Sequence, residues 1–163
     1  MALDATVGGS SANSYVSRES ADTYFEDRLY VTAWDAAVDA DKDKALIMAT
    51  ARLEQESYAG YRTTTTQSLK FPRSGLYVDG VELSSSTIPA KIIAATCEYA
   101  LEFVGSDQNA ESELADFKVI QVGSVKLEMN TGQSIQSGSI PSEVLRLLRD
   151  LRIGTSGAAI VRA

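Results

Sequence analysis

The stretch Ile88-Pro89-Ala90-Lys91-Ile92-Ile93-Ala94-Ala95-Thr96-Cys97-Glu98-Tyr99-Ala100-Leu101-Glu102-Phe103-Val104 decides the fold. Ile92, Thr96, Tyr99 and Phe103 recur at helical spacing, and Ile93, Cys97, Ala100 and Val104 form the stripe beside them. A helix with so broad an apolar face belongs in the middle of a bundle, covered from more than one side. Pro89 suits its first helical position, where a missing N–H leaves nothing unsatisfied, and Thr87 is placed to cap it.

Upstream, Ala45, Leu46, Ala49 and Leu53, with Tyr58 beyond them, form the apolar side of a helix capped by Asp39 or Asp41 and running to about Ser57. Ser17 is placed to cap an earlier helix that reaches about Leu29, with Ala21, Tyr24, Phe25 and Arg28 on one face and Arg18, Glu19, Asp22 and Glu26 toward water. Trp34 between them reads as a core anchor. Downstream, Pro141-Ser142-Glu143 opens a short last helix with Val144, Leu145, Leu148 and Leu151 inward, and Gly154 can close it.

Two segments carry the two-residue period instead. Leu76-Tyr77-Val78 and Val81-Glu82-Leu83 flank Asp79-Gly80, a pair that favours the tightest hairpin turn. Phe117–Val122 and Val125–Met129 flank Gly123-Ser124, which suits a II′ turn. The predicted fold is mainly α: a small bundle of about four helices with one or two β-hairpins. Residues 1–12 read as a flexible N-terminal arm, 13–153 as the domain, 60–88 as a long, partly mobile loop with its hairpin, 117–129 as the second hairpin, and 154–163 as a C-terminal tail.

The chain has 163 residues, 44% hydrophobic and 23% charged, which fits one soluble domain. No apolar run approaches the roughly 18 residues of a membrane span, so no membrane partner is expected. The start MALDATVGGSSAN has neither the basic nor the apolar region of a secretory signal, and synthesis in a cytoplasm is expected. The net charge of −7 is uneven. Residues 1–60 carry 11 acids against 5 bases, whereas residues 141–163 carry 2 against 4. A protein that grips phosphates presents a concentrated basic surface, and this one is acidic except near its C-terminal end.

The chemistry available is limited by what is missing. Without histidine, Ser-His-Asp and Cys-His arrangements are impossible and the commonest metal ligand is lost. The single Cys97 cannot make an intrachain disulfide or a cysteine-rich zinc site, and it lies on the apolar stripe of a helix. Asp39, Asp41 and Asp43 imitate the opening of a calcium loop, but Lys44 stands where the glycine is required and Thr50 where the bidentate glutamate belongs. Gly132-Gln133-Ser134-Ile135-Gln136 lacks the last glycine of a nucleophile elbow, and no phosphate-binding glycine loop occurs. No enzyme activity, cofactor or metal is predicted.

Four segments taken in order carry a resemblance: Asn13-Ser14-Tyr15-Val16-Ser17 followed by Ala21 and Tyr24-Phe25; Lys44-Ala45-Leu46-Ile47-Met48-Ala49-Thr50 followed by Leu53; Phe71-Pro72-Arg73-Ser74-Gly75; and Ile88-Pro89 leading to Ala94-Ala95-Thr96-Cys97-Glu98-Tyr99-Ala100. With Val122-Gly123-Ser124-Val125-Lys126-Leu127-Glu128 they resemble, over about residues 10–150, the tailed-phage family known as DnaT-like single-stranded-DNA-binding proteins, whose members resemble head–tail connector subunits. Phe71 stands where tryptophan is expected before Pro-Arg-Ser-Gly, and it keeps an aromatic plug there.

The resemblance implies a structural virion protein. It would be a head–tail adaptor in the neck, forming a ring, usually of twelve copies, beneath the portal protein. Its other neighbours would be a tail or stopper protein and further copies of itself, with DNA passing through unbound. The alternatives are a DnaT-like single-strand-binding replication accessory, which needs a basic groove with stacking aromatics that the sequence does not present as a cluster, or another virion assembly factor. Candidate interface residues are Phe71, Pro72, Arg73, Tyr77 and Val78 in the long loop, Arg146, Arg149 and Arg152 on the last helix, and Ile160 and Val161 in the tail. The three arginines read as a solvated helix face or as a contact for an acidic neighbour.

Overall fold

A computed structural model describes residues 2–105, 119–122, 125–128 and 140–153, the two short stretches 119–122 and 125–128 as backbone only. Among these residues are five helices, two hairpins and one further short antiparallel ladder.

Ser17 caps helix α1 (Arg18–Glu26), its hydroxyl accepting from the Ser20 N–H. The helix stops short of the expected Leu29. The Arg28 N–H turns back to the Phe25 carbonyl, and Tyr30 takes a left-handed backbone with φ +63°. No glycine stands at this stop, so the sequence carried no signal for it. The reversal leads into a helix that periodicity did not predict, α2 (Thr32–Ala36), which lays Trp34 against Phe25 with ring centroids 4.7 Å apart. Trp34 is buried, and its indole N–H donates to Asp22 Oδ1 at 2.8 Å.

Helix α3 (Asp39–Leu53) follows Val38 without a side-chain cap. Asp39 and Asp41 therefore lie inside its first turn, where the unpaired N–H groups favour negative charge, and do not cap it as predicted. The helix ends before Ser57. Tyr58 is not on its apolar face but folds back beyond its end, donating its hydroxyl to the Leu53 carbonyl at 2.9 Å.

The 60–88 stretch, expected as a long, partly mobile loop, is fastened to the domain at several points. Strands β1 (Tyr61–Arg62) and β2 (Arg73–Ser74) pair antiparallel, as do β3 (Tyr77–Val78) and β4 (Val81–Glu82). Asp79 and Gly80 both have positive φ, the type I′ geometry that Asp-Gly favours. The buried Gln67 amide donates to the Leu69 and Pro72 carbonyls. Gly60 has φ +71°, and a Cβ there would lie 2.4 Å from the Ser74 carbonyl oxygen, so only glycine fits beside β2.

Helix α4 (Ala90–Gly105) is the central helix the sequence predicts, packed by α3, α5 and α2. The Pro89 carbonyl accepts from Ile92 and Ile93, which puts Pro89 in the capping position, just ahead of the first helical residue. Ile92, Ala95, Thr96, Cys97, Tyr99 and Ala100 are buried, and the Thr96 hydroxyl is satisfied by the Ile92 carbonyl at 2.8 Å. Strands β5 (Val119–Val122) and β6 (Val125–Glu128) pair antiparallel, with Ile120 opposite Leu127 and Val122 opposite Val125. Helix α5 (Ser142–Leu148) buries Val144 and Leu148, with Leu151 just beyond it, while Leu145 is only half-buried. The predicted turn at Gly123-Ser124, the polar loop 130–139 and the stop at Gly154 lie outside the described residues.

The expected N-terminal arm is fastened from Ala2 onward. The Asp4 N–H donates to Asn13 Oδ1 at 2.8 Å, Asn13 Nδ2 donates to the Ala2 carbonyl at 2.9 Å, and Ser68 Oγ donates to the Ala12 carbonyl at 2.5 Å. Composition made this segment look free; the Asn13 side chain, acting as donor and acceptor at once, closes it into a loop.

Candidate interaction surface

The predicted interface residues fall into three kinds of place. Phe71 and Pro72 are interior. Phe71 sits edge-on to Tyr15 and Tyr58, with centroids 5.8 and 4.9 Å away, so it plugs the core. Arg73 is half-buried and turned inward. Its Nε donates to the Ala59 carbonyl at 2.7 Å, its Nη2 to the Gly60 and Tyr58 carbonyls at 2.6 and 3.2 Å, and its Nη1 to the Lys70 carbonyl at 3.2 Å. Desolvation lowers the pKa of this guanidinium, yet arginine stays charged at any ordinary pH. Phe71-Pro72-Arg73 is a latch that closes the loop, with Phe71 and Pro72 buried and Arg73 half-buried.

Tyr77 and Val78 lie on the hairpin, Tyr77 being 58% exposed and Val78 half-buried. The structure adds a neighbour that sequence reasoning missed. Tyr61, 67% exposed, lays its ring over Gly75, two residues before Tyr77, and Arg62 beside it is also exposed. Glu82 raises the Tyr77 phenol above its ordinary pKa, and Tyr61 adds a smaller push in the same direction. Tyr61 and Tyr77 thus make one small aromatic patch with a carboxylate at its edge, while Arg62 stands opposite Arg73 in the ladder. A second overlooked feature is the turn after α1, where Leu29 and the left-handed Tyr30 project into solvent, Tyr30 at 91% exposure.

Arg146 on α5 and Arg149 just past it are exposed, and among the described residues they pair with neighbours in their own segment, Glu143 at 3.1 Å and Asp150 at 3.5 Å. Arg152 is different. It reaches Glu56 at 2.6 Å and forms a β-bridge with Tyr58, so its charge is used inside the fold. Ile160 and Val161 lie outside the described residues.

Two open clefts accompany these features. One of about 530 Å³ is lined by alanines 33, 36, 37 and 45 with Met48 and Phe103 and by Asp41 and Lys44, which pair with each other at 2.8 Å; the other, of about 260 Å³, by Val78, Leu83, Ile88, Pro89 and Leu151 with Ser84, Thr87 and Lys91. Among the described residues no cluster of His, Cys, Asp or Glu could hold a metal ion, and no helix is long and apolar enough to cross a membrane. Cys97 is buried, and desolvation, with Glu98 adding to it, pushes its thiol up to about 12, the opposite of what a nucleophile needs.

A family model described as "Putative DnaT-like ssDNA binding protein" matches residues 1–163. The chain belongs to that family. No curated protein and no solved structure matches it.

Proposed function

We propose that this DnaT-like chain is a non-enzymatic head–tail adaptor of a tailed phage, a ring subunit beneath the portal. The observation that carries this reading is an acidic body that holds large apolar side chains out at its turns. Leu29, Tyr30, Tyr77 and Val81 are 76, 91, 58 and 66% exposed on a chain of net charge −7. Apolar anchors at turns suit contact with protein neighbours, and negative charge beside passing DNA repels phosphate and keeps a conduit clear. The ordered sequence segments that resemble connector subunits support the same reading. Quantitative mass spectrometry of purified virions tests it. About one copy per portal subunit is expected, and absence from the particle would sink it.

Single-strand binding is the second reading, and the family description speaks for it directly. Its site would be Tyr61 and Tyr77, where two bases could stack, each contributing about 1–3 kcal/mol. With no cation in that patch, affinity should depend only weakly on salt. Fluorescence anisotropy with a labelled single-stranded oligonucleotide decides the matter. Binding that is lost in both Tyr61→Ala and Tyr77→Ala supports this reading, and no binding at low salt removes it.

A further inference from the structure

We infer that the C-terminal segment docks through Ile160-Val161 into the cleft bounded by Val78, Leu83, Ile88, Pro89 and Leu151 of the same molecule. The cleft lies between the β3–β4 hairpin, the start of α4 and the residues just past α5. Leu151 is buried, but Val78, Leu83, Ile88 and Pro89 are only half-buried, so four apolar side chains around one hollow stop short of full cover. The volume of about 260 Å³ exceeds the ~150 Å³ that admits a benzene ring, which is room for a branched aliphatic side chain. On the rim the Lys91 ammonium pairs with Asp150, and the Ser84 and Ser86 hydroxyls bond to each other at 3.0 Å. What is left for an occupant is mainly apolar contact.

The chain itself brings an apolar segment to this cleft. Leu151 lines it, and Ile153, two residues on and 59% exposed, is the last described residue. In residues 154–163 the large apolar side chains are Ile160 and Val161. Ile160 follows Ile153 by seven residues, a reach of up to about 25 Å. Gly154 and Gly157 accept the backbone angles that a reversal over the cleft requires. A β-branched pair suits extended backbone, which sends neighbouring side chains to opposite sides, so one enters the cleft and the other lies at its rim. So short a tether holds Ile160 near the cleft at a millimolar effective concentration, about a thousandfold above a second copy at micromolar protein. The occupant is therefore the chain's own segment. Docked there, Ile160 and Val161 complete the cover of their own molecule and are not free to meet a neighbour. The contact is independent of the adaptor reading.

Disulfide trapping in the full chain tests this. Ala159→Cys or Arg162→Cys, which flank the two anchors and leave them intact, is combined with Ser84→Cys or Thr87→Cys on the exposed rim of the cleft. The control partner is Met48→Cys, which shares the other cleft with Phe103 near the far end of α4. Cys97 is buried and stays in place. In glutathione redox buffer at micromolar protein, at least one rim pair should close an intramolecular disulfide about tenfold more readily than the Met48→Cys control, read as monomer on a non-reducing gel. Adding I160D/V161D to that pair should bring trapping down to the control level, because a carboxylate does not enter an apolar cleft. The substitutions lie at exposed rim positions or in the C-terminal segment, and circular dichroism checks that each variant is folded. Trapping no better than the control, a disulfide that joins two copies in place of one, or trapping that survives I160D/V161D overturns the contact.

Discussion

Cys97 and Tyr15 show how burial sets the chemistry of single side chains in this chain. Desolvation raises both pKa values, helped at Cys97 by Glu98 and at Tyr15 by Glu54, which accepts the Tyr15 hydroxyl proton in a hydrogen bond. In the unfolded chain the thiol titrates near 8.5 and the phenol near 10. A pKa raised on folding means that the unfolded state releases its proton first, so this stability is fully present below about pH 8.5 and is lost as pH rises above it. Melting temperatures should therefore be flat up to about pH 8.5 and fall between there and pH 11, and Cys97→Ala should flatten the first part of that decline. The sequence showed that Cys97 lies on a core stripe because helical spacing reports facing. Periodicity could not show that Phe71 is a core plug, which only the resemblance suggested, because a loop has no period, and the same break in pattern that marks an exposed excursion also marks a segment that dives inward.

Among the elements, the long helices were legible and the short connections were not. Helix α4 declares itself through two adjacent stripes, whereas α2 is shorter than two turns and has no period to read. The Asp79-Gly80 hairpin was legible because its turn chemistry is local. Tyr61 and Arg62 were not, because β1 finds its partner only across the Thr63–Lys70 stretch and the Arg73 latch. That latch predicts an asymmetry. Four carbonyls are held by one planar fork, so Arg73→Lys, which keeps the charge and loses the fork, should destabilise the chain by about 1.5 kcal/mol in urea unfolding and should loosen amide exchange across residues 60–75. A change confined to the surface would move neither measurement.

Across the molecule, polar contacts of long reach tie the helices to one another. Arg28, just past α1, holds Glu98 on α4 through two bonds, Nε to Oε1 at 2.5 Å and Nη2 to Oε2 at 2.7 Å, and the Tyr24 hydroxyl joins them at 2.9 Å. Glu98 is 11% exposed, so removing it leaves a guanidinium and a phenol without their acceptor. Glu98→Ala should cost about 2–3 kcal/mol, and Glu98→Gln, which still accepts from Tyr24, about half as much, both read from denaturant midpoints. At this scale the sequence conveyed the bundle, its central helix and its lopsided charge.

The Tyr58–Arg152 bridge bears on how the chain carries a mechanical load. It is flanked by two backbone bonds, Ala59 N–H to the Leu151 carbonyl and Ile153 N–H to the Ser57 carbonyl, both 3.0 Å long. A pull on the C-terminal end, drawn along its own direction, slides residues 151–153 past 57–59 and loads both bonds at once in shear. The same pull directed sideways would peel them one after the other, starting at Ile153. A neighbour that grips this chain beyond Ile153 would therefore be held firmly in one direction and released easily in another.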